Sequence, residues 1–174
     1  VVLAAVCAHS YMMAARPVWD CVLEVLSIVG AACILGPATC AIVMAVKGDV
    51  LDAVGLPALA GSVIGAVTSV AYAAFIQLSG SAFTQVGYYF DPTVPTKEMV
   101  DAAATAGGQA PLLWVGAVIV GAAVPLVCCV LARKKGDAAG WKLFGGVAVA
   151  AALVGAVCLR VAFYNMGMSV FMFY

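Results

Sequence analysis

The chain has 174 residues, of which 66% are hydrophobic and 9% are charged, and its formal net charge at pH 7 is zero. Soluble domains carry about 25% charged residues, so this chain cannot cover a water-facing surface, and lipid must be its main solvent. Zero net charge also excludes a basic field that would recruit nucleic acid. Composition therefore predicts an all-α, polytopic transmembrane helix bundle, with residues 1–174 forming a single transmembrane helical domain.

Five apolar segments are candidates for spanning helices, each of which needs about 20 apolar residues. In chain order they cover residues 1–15, 18–46, 51–78, 111–132 and 141 to at least 160. The first segment is short, begins with Val1 and lacks the charged n-region of a signal peptide, so we interpret it as a truncated span. The polar breaks between spans are Arg16-Pro17, Lys47-Gly-Asp49 and Arg133-Lys-Lys-Gly-Asp137.

Lysine and arginine placement predicts the orientation of these five helices. If the helices alternate in direction, one side of the membrane receives Lys47, Arg133, Lys134, Lys135 and Lys142, and the other receives Arg16, Lys97 and Arg160. Cytoplasmic loops carry the excess of basic residues, so we expect the first group in the cytoplasm. The opposite end of the bundle, with Tyr174, is then the outer face.

The longest polar stretch, residues 79–110, is predicted to be an outer-face loop with a short interfacial helix. Its Tyr88-Tyr-Phe-Asp-Pro92 segment places aromatic rings where the membrane meets water. Thr96 is a candidate N-cap for the short helix, with Glu98 in its first turn.

Small residues predict close helix packing. Gly61-Ser-Val-Ile-Gly65 has the small-x-x-x-small spacing that lets two backbones approach, and Gly145, Gly146 and Gly155 narrow the last span. Gly36-Pro37 interrupts the second span, where proline removes a backbone hydrogen bond and is expected to bend or tilt the helix.

The seven cysteines lie almost wholly within apolar runs and form no C-x-x-C pair, so we interpret them as small buried side chains and expect no metal in this chain. His9 is the sole histidine, and a bis-histidine haem site needs two, so we expect no haem. His9 itself is either a hydrogen-bonded packing residue, which is the ordinary case, or a proton carrier.

Charged side chains within a span are costly and need a partner. Asp20 and Glu24 stand one turn apart near the start of the second span, with Glu24 the deeper and a candidate proton exit group. Arg160 either pairs with one of these carboxylates across helices or extends to the outer headgroups, and the sequence favours the second.

Two groups of motifs carry a family resemblance. The first is Arg160-Val-Ala-Phe163-Tyr164 followed by Met168-Ser-Val170 and Met172, which has the pattern R-x-x-F-Y, then M-[ST]-V-x-M. The second comprises Tyr11, Pro17-Val-Trp19 and Gly36-Pro37. In this order and spacing the chain resembles the membrane anchor subunit of DMSO reductase (the DmsC family) over its first, second and fifth spans. Asn165-Met-Gly167 stands where relatives carry a histidine before the methionine, so no role is transferred to that position.

The resemblance implies the C-terminal part of an eight-helix anchor in the bacterial inner (cytoplasmic) membrane, with three helices before Val1. Such anchors hold an iron–sulfur ferredoxin-like subunit and a molybdopterin catalytic subunit, and they oxidise menaquinol during anaerobic respiration without haem. This chain would then be a non-catalytic subunit of an oxidoreductase complex, and the terminal electron acceptor would be chosen by the catalytic subunit.

The quinol-pocket candidates are the rare polar side chains of the spans, namely His9, Glu24, Arg160 and Tyr164. An alternative is a small-solute or ion transporter, since bent helices and buried ionisable residues also mark substrate paths. The sequence has no apparent inverted repeat, which disfavours transport. A structural membrane scaffold is a third interpretation.

Overall fold

The computed structural model describes residues 2–13, 16, 18–48, 52–79, 86–87, 101–167 and 169–170. Its helices are α1 (Val2–His9), α2 (Val22–Lys47), α3 (Asp52–Ser79), α4 (Ala102–Gly108), α5 (Val124–Lys135), α6 (Ala138–Gly140) and α7 (Gly146–Asn165). π-helical segments, Pro111–Ala123 and Trp141–Gly145, precede α5 and α7. The two-residue strands β1 (Val86–Gly87) and β2 (Ser169–Val170) pair antiparallel. The predicted all-α helix bundle is confirmed.

Among the described residues, four helices are long and apolar enough to cross a membrane: Val22–Lys47, Ala53–Leu78, Ala102–Lys135 and Ala138–Asn165. The chain is therefore a multi-pass membrane protein. The first of the five predicted segments contains α1, which has eight residues. At about 1.5 Å per residue, α1 is about 12 Å long, well short of the hydrocarbon core of about 30 Å.

The third of the four spans begins earlier than the sequence predicted, at Ala102 rather than near residue 111. The Asp101 carboxylate accepts hydrogen bonds from the backbone N–H groups of Ala103 and Ala104, at 2.9 and 3.1 Å, and so caps α4. The predicted cap Thr96 and most of the 79–110 loop lie outside the described residues. The loop with its interfacial helix therefore stays a prediction.

Two glycines end helices at the predicted polar breaks. Gly48 has φ of 79° and Gly136 has φ of 68°, and each donates its N–H to a carbonyl in the last turn of the preceding helix. Glycine adopts this left-handed conformation without a steric cost, which is why it terminates α2 and α5. In contrast, α2 continues through Pro37, and the bend expected there stays a prediction.

Antiparallel α2 and α3 form one close helix pair. A Cβ on Gly61 would overlap the backbone carbonyl of Cys33, and one on Gly65 would overlap Ile34. The predicted small-x-x-x-small contact is thus confirmed, because only hydrogen at both positions lets the two backbones come this close.

The second close pair consists of α7 and the Pro111–Lys135 helix. Gly121 and Gly155 face each other so closely that a Cβ on either would overlap the other's backbone. Gly145 lies against Ile42, whereas a Cβ on Gly146 would meet nothing within 4 Å. Two of the three glycines predicted to narrow the last span therefore do so.

Two buried clusters fill the bundle, one at each end. The Trp19 cluster comprises Val18, Trp19, Tyr72, Ala73, Ile76, Ala102, Ala106, Leu113, Ala117, Leu159, Ala162, Phe163 and Met166. The Trp141 cluster comprises Ala41, Ala45, Ala58, Cys128, Cys129, Ala132, Trp141 and Ala148. The helix pairs meet where α3 packs against the Pro111–Lys135 helix and along a seam between α2 and α7. The candidate site lies where this α2–α7 seam reaches the Trp19 cluster.

We expect Gly155→Ala to lower the thermal unfolding temperature in detergent, because the added methyl group would push Gly121 away. Overpacking of this kind costs about 1–3 kcal/mol. The matched control, Gly146→Ala in the same helix, has open space and should leave stability unchanged or slightly higher. Equal unfolding temperatures for the two variants would contradict the close approach.

Candidate functional site

Glu24 is a carboxylate buried at the start of a membrane-spanning helix. The extended residue Cys21 caps α2, its Sγ accepting from the Leu23 N–H at 3.4 Å, and Glu24 falls in the first turn. A negative charge is favoured there by the helix dipole. Its side chain is 1% exposed. Asp20 precedes α2 and is exposed, so the two carboxylates differ sharply in environment.

Arg160 on α7 pairs with this carboxylate across the seam. Its Nη1 donates to Glu24 Oε1 at 2.8 Å, and its side chain is 32% exposed. The sequence favoured an extension to the headgroups, and that expectation was wrong. A buried carboxylate without a partner is very costly, so the Arg160 guanidinium points inward to Glu24 instead of toward the headgroups.

Four aromatic rings, from the segment before α2 and from the end of α7, pack together beside the ion pair. Trp19 stacks on Phe163 with ring centroids 4.7 Å apart, and Trp19 Nε1 donates to the Phe163 carbonyl at 2.9 Å. Tyr11 packs edge-on against Phe163 at 5.8 Å, and the hydroxyls of Tyr11 and Tyr164 are 3.4 Å apart. These contacts fasten the segment before α2 to the end of α7.

The arginine also lies over aromatic faces. Arg160 Cζ is 4.9 Å from the Phe163 ring centroid and 5.5 Å from that of Tyr11. Arg16 lies over Trp19 at 4.1 Å. Such contacts attract a cation to a ring by about 0.5–2 kcal/mol, more where water is excluded. The contacts with Phe163 and Tyr11 hold Arg160 in place beside Glu24.

A cavity of about 140 Å³ opens at this point of the seam. It is lined by Ser27, Ile28, Ala31, Tyr72, Ala156, Leu159, Arg160 and Phe163. We call it the α2–α7 groove. Small side chains on the two facing helices, Ala31 and Ala156, leave the space, and Arg160 supplies its charged wall.

Three of the four sequence candidates come together here. Glu24 and Arg160 are in direct contact, and Tyr164 joins them through Tyr11. His9 does not share these contacts; it is exposed at the end of α1, with its Nδ1 3.2 Å from Met12 Sδ.

Tyr72 and Ser27 are groove residues that the sequence candidates did not include. Tyr72 is 1% exposed and its hydroxyl donates to the Val18 carbonyl at 3.4 Å, a long bond. Ser27 donates to the Glu24 carbonyl at 2.7 Å. The sequence feature that could have pointed to Tyr72 is its position inside an apolar span, because tyrosines of membrane proteins are usually found at the membrane–water interfaces.

Within the described part of the chain, Glu24 Oε2 is a buried oxygen without a hydrogen-bond partner. Buried polar atoms are nearly always paired, so such an atom calls for an explanation. An ionised carboxylate only accepts hydrogen bonds, and Arg160 has five N–H donors. The site therefore holds a buried acceptor in Glu24, which does not line the groove, and further donors on Arg160, which does.

Among the residues that the structure describes, no three His, Cys, Asp or Glu side chains converge so that they could hold a metal ion. The seven cysteines are free thiols. Cys33 and Cys40 share α2, and Cys128 and Cys129 are adjacent on α5.

No protein-family model, curated protein or solved structure matches this chain. Its class follows from its own apolar helices, and its function has to be inferred from this site.

Removing one partner of the ion pair should cost more stability than removing the other. Arg160→Gln leaves a buried carboxylate without its counter-charge, at a cost of up to about 3–5 kcal/mol. Glu24→Gln should cost less, because the freed, partly exposed arginine can extend toward the headgroups.

A double-mutant cycle on unfolding in detergent measures this coupling. The Glu24→Gln/Arg160→Gln protein should be more stable than Arg160→Gln alone. Strict additivity of the two single effects would show that the pair contributes nothing.

Proposed function

We propose that this chain is the membrane anchor subunit of a molybdopterin oxidoreductase resembling DMSO reductase, that it lies in the bacterial inner membrane, and that it helps to oxidise menaquinol. In this role it tethers an iron–sulfur ferredoxin-like subunit and the molybdopterin catalytic subunit. The chain itself contributes the lipid-embedded quinol side and no terminal reduction chemistry.

The contact between the two motif groups is the observation that carries the proposal. Tyr11 and Trp19 belong to one group, and Arg160, Phe163 and Tyr164 belong to the other. They are separated by about 140 positions, yet Trp19 both stacks on Phe163 and donates a hydrogen bond to it. A chance likeness of two short patterns gives no reason for them to meet at one polar site. Pro17, Met168 and Met172 lie outside the described residues.

The chemistry of quinol oxidation matches the groups present. Oxidation breaks two O–H bonds and releases two protons and two electrons. In the proposal the electrons pass to the iron–sulfur subunit, while Glu24 accepts a proton as a carboxylate with one free buried oxygen. Protonation neutralises Glu24 and weakens its hold on Arg160. In the proposal Glu24 passes this first proton by way of the exposed Asp20 to water outside, and the carboxylate so restored accepts the second proton.

The charge distribution supports the proposed orientation. Lys47 and the Arg133-Lys134-Lys135 run end their helices at the Trp141 end of the bundle, where Lys142 is also exposed. By the positive-inside rule this end faces the cytoplasm, and the Glu24–Arg160 site then lies near the outer face.

Isolation in mild detergent from the native membrane tests the assembly. We expect the chain to co-purify with an iron–sulfur protein and a molybdopterin enzyme, and the complex to re-oxidise a short-chain menaquinol. A chain that purifies alone and moves a solute across vesicles would support the transporter alternative instead.

Within that complex, Glu24→Gln should slow menaquinol oxidation by about 100-fold or more, because it removes the proton acceptor while keeping the shape. The rate is followed by quinol absorbance at saturating acceptor. Asp137→Asn, which replaces a carboxylate at the far end of the bundle with another good cap, is the control and should be neutral. Unchanged rates in both variants would remove Glu24 from the mechanism.

A further inference from the structure

We propose that the α2–α7 groove is the position at which a single ring of the quinol head binds, with a ring oxygen accepting hydrogen bonds from Arg160. This inference rests on the proposed function for the identity of the ligand. It adds the location, the size limit and the binding residues Ser27, Tyr72 and Phe163, none of which the sequence motifs assigned to the pocket.

The groove has the volume of one six-membered ring. Its cavity is about 140 Å³. An apolar protein cavity of about 150 Å³ holds one benzene molecule. A naphthoquinol has two fused rings, so one ring fits and the other, with the isoprenoid tail, must extend through the opening.

The opening faces the lipid side of the bundle. Ala156 and Ile28 are only partly covered, and the neighbouring α7 residues Leu153 and Val157 are 51% and 62% exposed. Large apolar side chains exposed on a membrane-spanning helix face the acyl chains. A lipid-dissolved ligand can therefore enter sideways from the bilayer, with its tail left in lipid.

The walls match a flat aromatic ring with an oxygen at its edge. Phe163 and Tyr72 line the groove, but each is only 1% exposed, because Phe163 stacks on Trp19 and Tyr72 stacks on Phe75. Arg160 is bonded to Glu24 through Nη1, which leaves further N–H donors on its fork for a ring oxygen. The polar wall is thus at the Trp19 end, and the apolar wall runs deeper.

A second, smaller cavity limits how deep the ring can go. It continues the first along Ser27, Ala31, Ala156 and Leu159 toward Gly121 and Gly155, but its volume is about 20 Å³. That is enough for about one water molecule and too little for a ring. The close contact of Gly121 with Gly155 closes the deep end.

Filling the groove tests this location without touching a charge. Ala156→Leu places an isobutyl group in the space, while Ala150→Leu makes the same change on an exposed position of the same helix. The probe is 2-methyl-1,4-naphthoquinone, titrated against the detergent-purified complex and followed by quenching of tryptophan fluorescence. Trp19, stacked on the groove residue Phe163, is the reporter.

We expect Ala156→Leu to raise the dissociation constant about tenfold or more, and Ala150→Leu to leave it unchanged. Ala31→Leu fills the opposite wall and should reproduce the loss, which keeps the test decisive if the first variant folds poorly. Wild-type binding in both filled variants would overturn the proposed location.

The outcome separates this inference from the proposed function. If both filled variants lose the naphthoquinone but the wild-type protein neither binds redox partners nor oxidises menaquinol, the groove is a quinone site and the anchor function is wrong. If both filled variants oxidise menaquinol at the wild-type rate and affinity, the function stands and the ring binds elsewhere.

Discussion

The hydrogen-bonded ion pair between Glu24 and Arg160 is the interaction that fixes how α2 and α7 meet at the Trp19 end of the bundle. Each pair is held together by glycines that bring two backbones into contact, α2 with α3 and α7 with the Pro111–Lys135 helix. At the Trp19 end of the seam, in the described part of the chain, α2 and its preceding segment are joined to α7 and the residues after it by a charge pair, a stacked indole and the close fit of Gly167 against Trp19. In a low-dielectric interior an unpaired charge is very costly, so the pair favours one register of α7 against α2.

The seam is also where the bundle has room for a ligand. Glycine contacts let the members of each pair come close and leave little space between them, whereas Ala31 and Ala156 face each other across the seam with a cavity between them. Binding sites in helix bundles are commonly built from side chains on facing helices. Here the polar groups stand at the rim and the small residues extend inward, so one short stretch of seam offers both an oxygen-binding edge and an apolar slot.

The two ends of the bundle use their polar residues differently. At the Trp141 end, cations are exposed, and Gly48 and Gly136 terminate the helices in short turns. At the Trp19 end, Arg160 is drawn inward by Glu24 and lies against Phe163 and Tyr11. Exposed cations favour a headgroup region, while a partly buried arginine beside a carboxylate is a feature typical of functional sites in membranes.

The amino-acid sequence determined the solvent of this protein, because a chain with 9% charged residues has to be covered by lipid. It also determined the polar breaks, the Gly61–Gly65 contact surface and the scarcity of ionisable groups that pointed to Glu24 and Arg160. The tertiary structure alone decided that these two are partners, that Tyr72 and Ser27 join them, and that His9 stays outside. Periodicity and composition indicate that a charged residue in a span needs a partner, but not which one. Glu24 and Arg160 are 136 positions apart, and they become partners because the two helix pairs pack with α2 against α7.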